Sequence, residues 1–88
     1  MQKGKEIIVK YLTKSGCCLC DRGLFIMNKL KTRYDLSNIE VVDISNYPQY
    51  NKYKNSVPVV LINEEMISCM KLEERKIRVY LEKILKNN

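Results

Sequence analysis

The residues of this chain best suited to chemistry are four cysteines. Cys17, Cys18 and Cys20 fall within four positions, and Cys69 stands alone. Their thiolates can serve as nucleophiles, redox partners or metal ligands. The chain has no histidine, so the commonest general base and metal ligand is missing. Chemistry must come from cysteine, carboxylate, lysine or tyrosine. Three clustered cysteines do not spread like a disulfide framework; in an intracellular chain such clustering points to redox or metal chemistry. Cys17 and Cys20 form one C-x-x-C pair.

The flanking sequence predicts the elements that hold this pair. Residues 6–12 read as a strand, with Ile7-Ile8-Val9 β-branched and Tyr11-Leu12 extending it. Thr13-Lys14-Ser15-Gly16 is a polar break, and Ser15 or Gly16 can precede a helix start. Residues 20–34 carry Leu24, Met27, Leu30 and Tyr34 at helical spacing, with Phe25 and Ile26 broadening the apolar face. Gly23 weakens that helix and is expected to mark close approach to another element. Residues 39–44 read as a second strand, with Asp43 near its carboxyl end. Residues 45–55 predict a short helix beginning near Pro48. Val59-Val60-Leu61-Ile62 is a third strand, Asn63-Glu64-Glu65 a tight turn, and residues 66–70 a fourth strand. Residues 72–86 form a closing helix, with Ile77, Tyr80, Leu81, Ile84 and Leu85 as its buried stripe. The tail at 86–88 is expected to fray. The order is β-α-β-α-β-β-α. It predicts an α/β fold: a four-stranded mixed sheet with helices on both faces, its first two strands parallel and its last two a hairpin.

The C-x-x-C pair follows the first strand and opens the first helix. A helix amino terminus favours negative charge through its free N–H groups and macrodipole. Thiols so placed have their pKa lowered to roughly 3.5–7.5. Cys17, the outer residue, is expected to be the more exposed. Cys20, within the helix, is expected to be buried and to resolve a mixed disulfide formed on Cys17.

Tyr11-Leu12-Thr13-Lys14-Ser15-Gly16-Cys17-Cys18-Leu19-Cys20 resembles the opening of a glutaredoxin-like protein. Ser56-Val57-Pro58-Val59-Val60 resembles that family's T-V-P-x-V segment. Lys14 matches a lysine often found three residues before the first cysteine, and Asp43 also fits. The middle pair Cys18-Leu19 stands where glutaredoxins usually have Pro-Tyr, closer to a C-x-L-C subset. The Gly-Gly and acidic pair that help hold glutathione are replaced by Met66-Ile67-Ser68-Cys69-Met70-Lys71. The resemblance covers nearly the whole chain, as one domain over 1–88. It implies a thioredoxin fold and a thiol–disulfide oxidoreductase with Cys17 as nucleophile and Cys20 as resolving thiol. It implies a cis bond before Pro58, which holds the Val57 backbone beside Cys17 to pair with an extended substrate. Lys14 is then near the thiolate or near a substrate carboxylate, such as that of glutathione. No bound cofactor is implied. The electron donor is glutathione or a thioredoxin-reductase-type flavoenzyme. The substrate is a disulfide-containing protein or a glutathione mixed disulfide.

Other readings compete. The four cysteines could bind zinc, copper or an iron–sulfur cluster, or dock a partner, in a module that turns nothing over. A structural zinc site usually draws on two separated pairs, so no metal ligands are assigned. Cys18 reads as a bystander or an alternative disulfide partner, and Cys69 as a small apolar residue on the fourth strand. Tyr47, Tyr50 and Tyr53, with Lys52 and Lys54 between, could stack single-stranded nucleic acid. The preferred reading is one face of the short second helix, half-buried on the sheet, with nucleic acid not an expected partner. Sixteen basic against ten acidic residues give +6, which permits an acidic partner without demanding one. Hydrophobic residues make up 45% and charged residues 30%, a globular balance. No apolar run spans a bilayer, and the stretch behind Lys5 is too short for a signal-peptide core. The expectation is a cytoplasmic monomer with no membrane contact.

Overall fold

The computed structural model describes residues 7–36 and 39–86. The elements are β1 (Val9–Thr13), α1 (Cys18–Arg33), β2 (Ile39–Asp43), two 3-10 helices (Ile44–Asn46 and Pro48–Tyr53), β3 (Val59–Ile62), β4 (Glu65–Cys69) and α2 (Glu74–Lys86). The sheet runs β2-β1-β3-β4. β1 and β2 are parallel, with α1 as their crossover, whereas β3 is antiparallel to both β1 and β4. This is the mixed sheet that the sequence predicts.

The four apolar residues of β3 are all buried, as befits an inner strand covered on both faces. On one face Val60 and Ile62 join Val9 and Tyr11 of β1, Met27 and Leu30 of α1, and Ile77 and Leu81 of α2. On the other face Val59 and Leu61 join Leu12, Val42 and Ile44, with Tyr50, Tyr53, Val57 and Cys69 packed against them. Both α-helices therefore cover one face, and the 3-10 segment covers the other. Tyr50 and Tyr53 sit half-buried on the sheet, as the preferred reading of the tyrosines has it, while Tyr47 is exposed.

The expected helix over 45–55 is instead two 3-10 turns. Tyr47 explains the split: it precedes Pro48 and is extended, at φ −135 and ψ 94. The proline ring pushes the preceding residue out of the helical region. Neither piece is then long enough for α-geometry, and 3-10 is the usual form of such short runs. Phe25 does not join the apolar face of α1. It is 73% exposed, because two positions from Met27 is about 200° around a helix of 3.6 residues per turn. Leu85 is likewise exposed.

β1 begins later than expected, at Val9. Ile8 still extends its ladder: Asn63 N–H donates to the Ile8 carbonyl at 2.8 Å, and Ile8 N–H donates to Asn63 Oδ1 at 3.0 Å. Glu6 and the tail residues 87–88 lie outside the described residues. In the β3–β4 turn Asn63 and Glu64 both take positive φ, 53° and 71°, as a two-residue hairpin requires. Among the described residues no helix is long and apolar enough to cross a membrane.

Candidate active site

The cysteines lie where β1 feeds α1. Gly16 takes φ +74° in the connecting turn, a conformation that glycine adopts without strain. Cys17 is the N-cap of α1: its backbone is extended, and its Sγ accepts the Cys20 N–H at 3.2 Å. A capping side chain normally brings an oxygen to this orphan donor; here a sulfur takes its place. The positive end of the helix and the N–H both favour a thiolate there.

Cys17 is half-buried, and Cys20, one turn into the helix, is 3% exposed. The two sulfurs are at disulfide distance, with Cα atoms 5.2 Å apart. Cys18 is free and exposed; Cys69 is free and half-buried, opposite Val59 on β4. The fold thus brings two of the four cysteines together. Among the described residues no three His, Cys, Asp or Glu side chains converge as metal ligands would.

The second wall comes from the start of β3. The register Leu12↔Val59 sets Pro58 alongside the end of β1, where the turn to Cys17 begins. The Val57–Pro58 bond is cis, as the resemblance implies. Met70 N–H donates to both the Ser56 carbonyl, at 3.0 Å, and the Pro58 carbonyl, at 2.8 Å. These bonds flank Val57, whose own N–H and carbonyl take no backbone partner among the described residues. Val57 therefore offers a free backbone edge.

Lys14 is exposed, and its Nζ donates to the Lys54 carbonyl at 3.2 Å. This ties the turn before Cys17 to the chain that leads into Val57. Asp43 ends β2 and caps the first 3-10 helix by accepting the Ser45 N–H at 2.9 Å.

Tyr11 anchors the site from below. Its hydroxyl donates to the Cys20 carbonyl at 2.5 Å in a buried contact. Burial, and then the charge of Asp21, push the Tyr11 phenol up to about 12. Gly23 makes this contact possible: a Cβ there would collide with the Tyr11 hydroxyl and lie 2.8 Å from Leu72 Cδ1. The close approach expected at Gly23 is present. Its partner Tyr11 reads in the sequence only as one more residue extending the first strand. The clamp at Met70 was also illegible, because it is a backbone bond made by a residue of unremarkable type.

Comparison with known proteins agrees with this geometry. Residues 8–82 match the family described as glutaredoxin-like domain (DUF836). A glutaredoxin-like protein of Dictyostelium discoideum, a YDR286C homolog, is 28% identical, over 93% of this chain and 82% of that protein. Among solved structures, protein Ne2328 of Nitrosomonas europaea superposes with a TM-score of 0.71 at 19% identity, covering 91% of this chain and 96% of its own. Thioredoxin 1 of Thermosipho africanus superposes with a TM-score of 0.60 at 26% identity, covering 91% of this chain and 98% of its own. With the family matched over most of its length and the fold shared with thioredoxin, the chain belongs to the glutaredoxin-like domain family of the thioredoxin superfamily.

Proposed function

We propose that this protein is a thiol–disulfide oxidoreductase in which Cys17 is the nucleophile and Cys20 the resolving thiol. One observation carries the reading: the Cys17 sulfur caps α1, receives the Cys20 N–H, and lies at disulfide distance from a buried Cys20.

The Cys17 thiolate attacks one sulfur of a substrate disulfide. The substrate S–S bond breaks, and the departing thiolate takes a proton from solvent. Cys17 now holds a mixed disulfide. Cys20 loses its proton and attacks Cys17 Sγ. The second substrate sulfur leaves as a thiol, and the Cys17–Cys20 disulfide remains. Two electrons have passed from the protein to the substrate, with one proton supplied by Cys20 and the other by solvent. Two electrons from external thiols, those of glutathione or of a thioredoxin-reductase-type flavoenzyme, restore the dithiol. Burial shields Cys20 from bulk oxidants until the mixed disulfide forms beside it. Val57 and Pro58 frame the substrate, with the free Val57 edge available to pair with an extended chain. Lys14 supplies a positive charge at the mouth of the site for a substrate carboxylate. The substrate is a protein disulfide or a glutathione mixed disulfide, met by a cytoplasmic monomer.

The test is a redox titration. The protein is equilibrated in glutathione buffers of graded potential, free thiols are alkylated, and products are mapped by mass spectrometry. A Cys17–Cys20 disulfide with a potential of roughly −120 to −270 mV is expected. A glutathione adduct on Cys17 would identify the donor. Absence of any disulfide through Cys17 at every potential would overturn the reading.

A further inference from the structure

Met70 takes φ +62°, a left-handed backbone that disfavours a long side chain. The conformation aims its N–H at the Ser56 and Pro58 carbonyls. Glycine would make the same two bonds without strain. The side chain therefore calls for a separate explanation, and its surroundings supply one. Met70 is 52% exposed, and Leu19, which stands between the two cysteines in sequence, is 43% exposed. With Ile26 and Leu72 they line a groove of about 400 Å³, at the small end of the usual range of ligand pockets. Arg22 and Lys71 stand on the same groove. Neither is in an ion pair among the described residues. Asp21, the chain neighbour of Arg22, does not line it.

We infer that this groove selects the substrate of the redox site, and that its occupant is a polypeptide segment with an apolar side chain and a carboxylate next to its disulfide cysteine. The inference rests on the thiol–disulfide reading and deepens it. Three observations fix the occupant. The free Val57 edge suits an extended backbone. The Leu19–Met70 walls suit an apolar side chain. The two unpaired cations suit an acidic neighbour and repel a basic one. Met70 is then a specificity-determining residue, held in a costly conformation by its use.

The test uses short peptides, each carrying one cysteine as a mixed disulfide with 2-mercaptoethanol. In one the cysteine is followed by Leu-Glu, in another by Leu-Lys, in a third by Ala-Glu. Rates are expressed relative to bis(2-hydroxyethyl) disulfide for the same protein. The Leu-Glu peptide is expected to exceed each of the others by about tenfold. Met70→Gly is expected to lower the Leu-Glu to Ala-Glu ratio by about fivefold. The double reversal Arg22→Glu with Lys71→Glu is expected to invert the preference between Leu-Glu and Leu-Lys. Separately, the Leu-Glu peptide with its cysteine replaced by serine is expected to shift the NMR amide signals of Leu19, Gly23 and Leu72. Equal rates, or a charge reversal without effect, while the small disulfide is still reduced, would overturn the groove's role alone. A folded protein that reduces neither the peptides nor the small disulfide would overturn the exchange reading itself, and the groove's role with it.

Discussion

The Tyr11 hydroxyl donates to the Cys20 carbonyl across 2.5 Å, joining the central sheet to the first turn of the helix that carries the redox pair. Burial, and then the charge of Asp21, favour the protonated phenol and push it up to about 12 against a usual value of 10.0. A group whose folded pKa is raised stabilises fully below its unfolded pKa and loses that contribution as pH rises through the folded value. The oxidised protein is therefore expected to lose stability between pH 10 and 12 more steeply than Tyr11→Phe. At neutral pH Tyr11→Phe is expected to be about 1 kcal/mol less stable, the worth of one buried hydrogen bond. Urea unfolding across this pH range measures both. Parallel curves for the two proteins would refute the coupling.

Gly23 lies one turn beyond Cys20, against the same hydroxyl. Alanine there improves helix propensity by up to about 1 kcal/mol. Its methyl would meet the Tyr11 hydroxyl and Leu72, and overpacking of this kind costs roughly 1–3 kcal/mol. Gly23→Ala is therefore expected to be destabilising on balance. Combining it with Tyr11→Phe removes the colliding oxygen, so the double variant is expected to be more stable than the sum of the two single changes. Additive losses in a double-mutant cycle would show that Leu72 alone causes the collision.

Much of this arrangement was written locally. The apolar run at 59–62 reads as an inner strand because both its faces are covered, and the C-x-x-C pair opens a helix because its spacing and the preceding polar break allow nothing simpler. The hairpin follows from Asn63 between two apolar runs. What the sequence withheld are contacts between positions far apart in the chain. Tyr11 reads as one more core residue until Gly23 is seen across from it. Met70 reads as the end of a strand, although its N–H holds both sides of Val57. Residues 45–55 read as one helix because a first turn welcomes proline, but Pro48 also drives Tyr47 out of the helical region and splits the segment.

Glu64 takes φ +71° in the hairpin turn, and its carboxylate meets Lys10 Nζ at 2.6 Å. That contact, with a second hydrogen bond from Nζ to Tyr50, raises the Lys10 pKa. A left-handed non-glycine residue costs about 1–2 kcal/mol. An ion pair with an exposed partner returns about 0.2–1 kcal/mol, and glycine adds about 0.5–1 kcal/mol of unfolded-chain entropy. Glu64→Gly is therefore expected to lie within about 0.5 kcal/mol of the natural protein. Glu64→Gln keeps the strain and loses the charge, so it is expected to be less stable by up to about 1 kcal/mol. Thermal unfolding ranks the three, and a Gln variant as stable as the parent would show that the pair contributes nothing.

The three clustered cysteines are expected to separate cleanly by substitution. Cys17→Ser removes the sulfur that receives the Cys20 N–H and is expected to abolish disulfide reduction. Cys20→Ser leaves the nucleophile but nothing to resolve it, so the protein is expected to accumulate a mixed disulfide, visible as a mass adduct on Cys17. Cys18 is exposed and free, outside the pair, and Cys18→Ser is expected to reduce disulfides within about twofold of the parent, as surface changes usually do. Intact-mass spectrometry after incubation with a mixed-disulfide substrate distinguishes the three in one experiment. An adduct on Cys18 in the Cys17→Ser protein, with turnover retained, would move the nucleophile one residue along the helix. The N-cap geometry argues against that outcome, because among the described residues Cys17 alone receives the helix N–H through its sulfur.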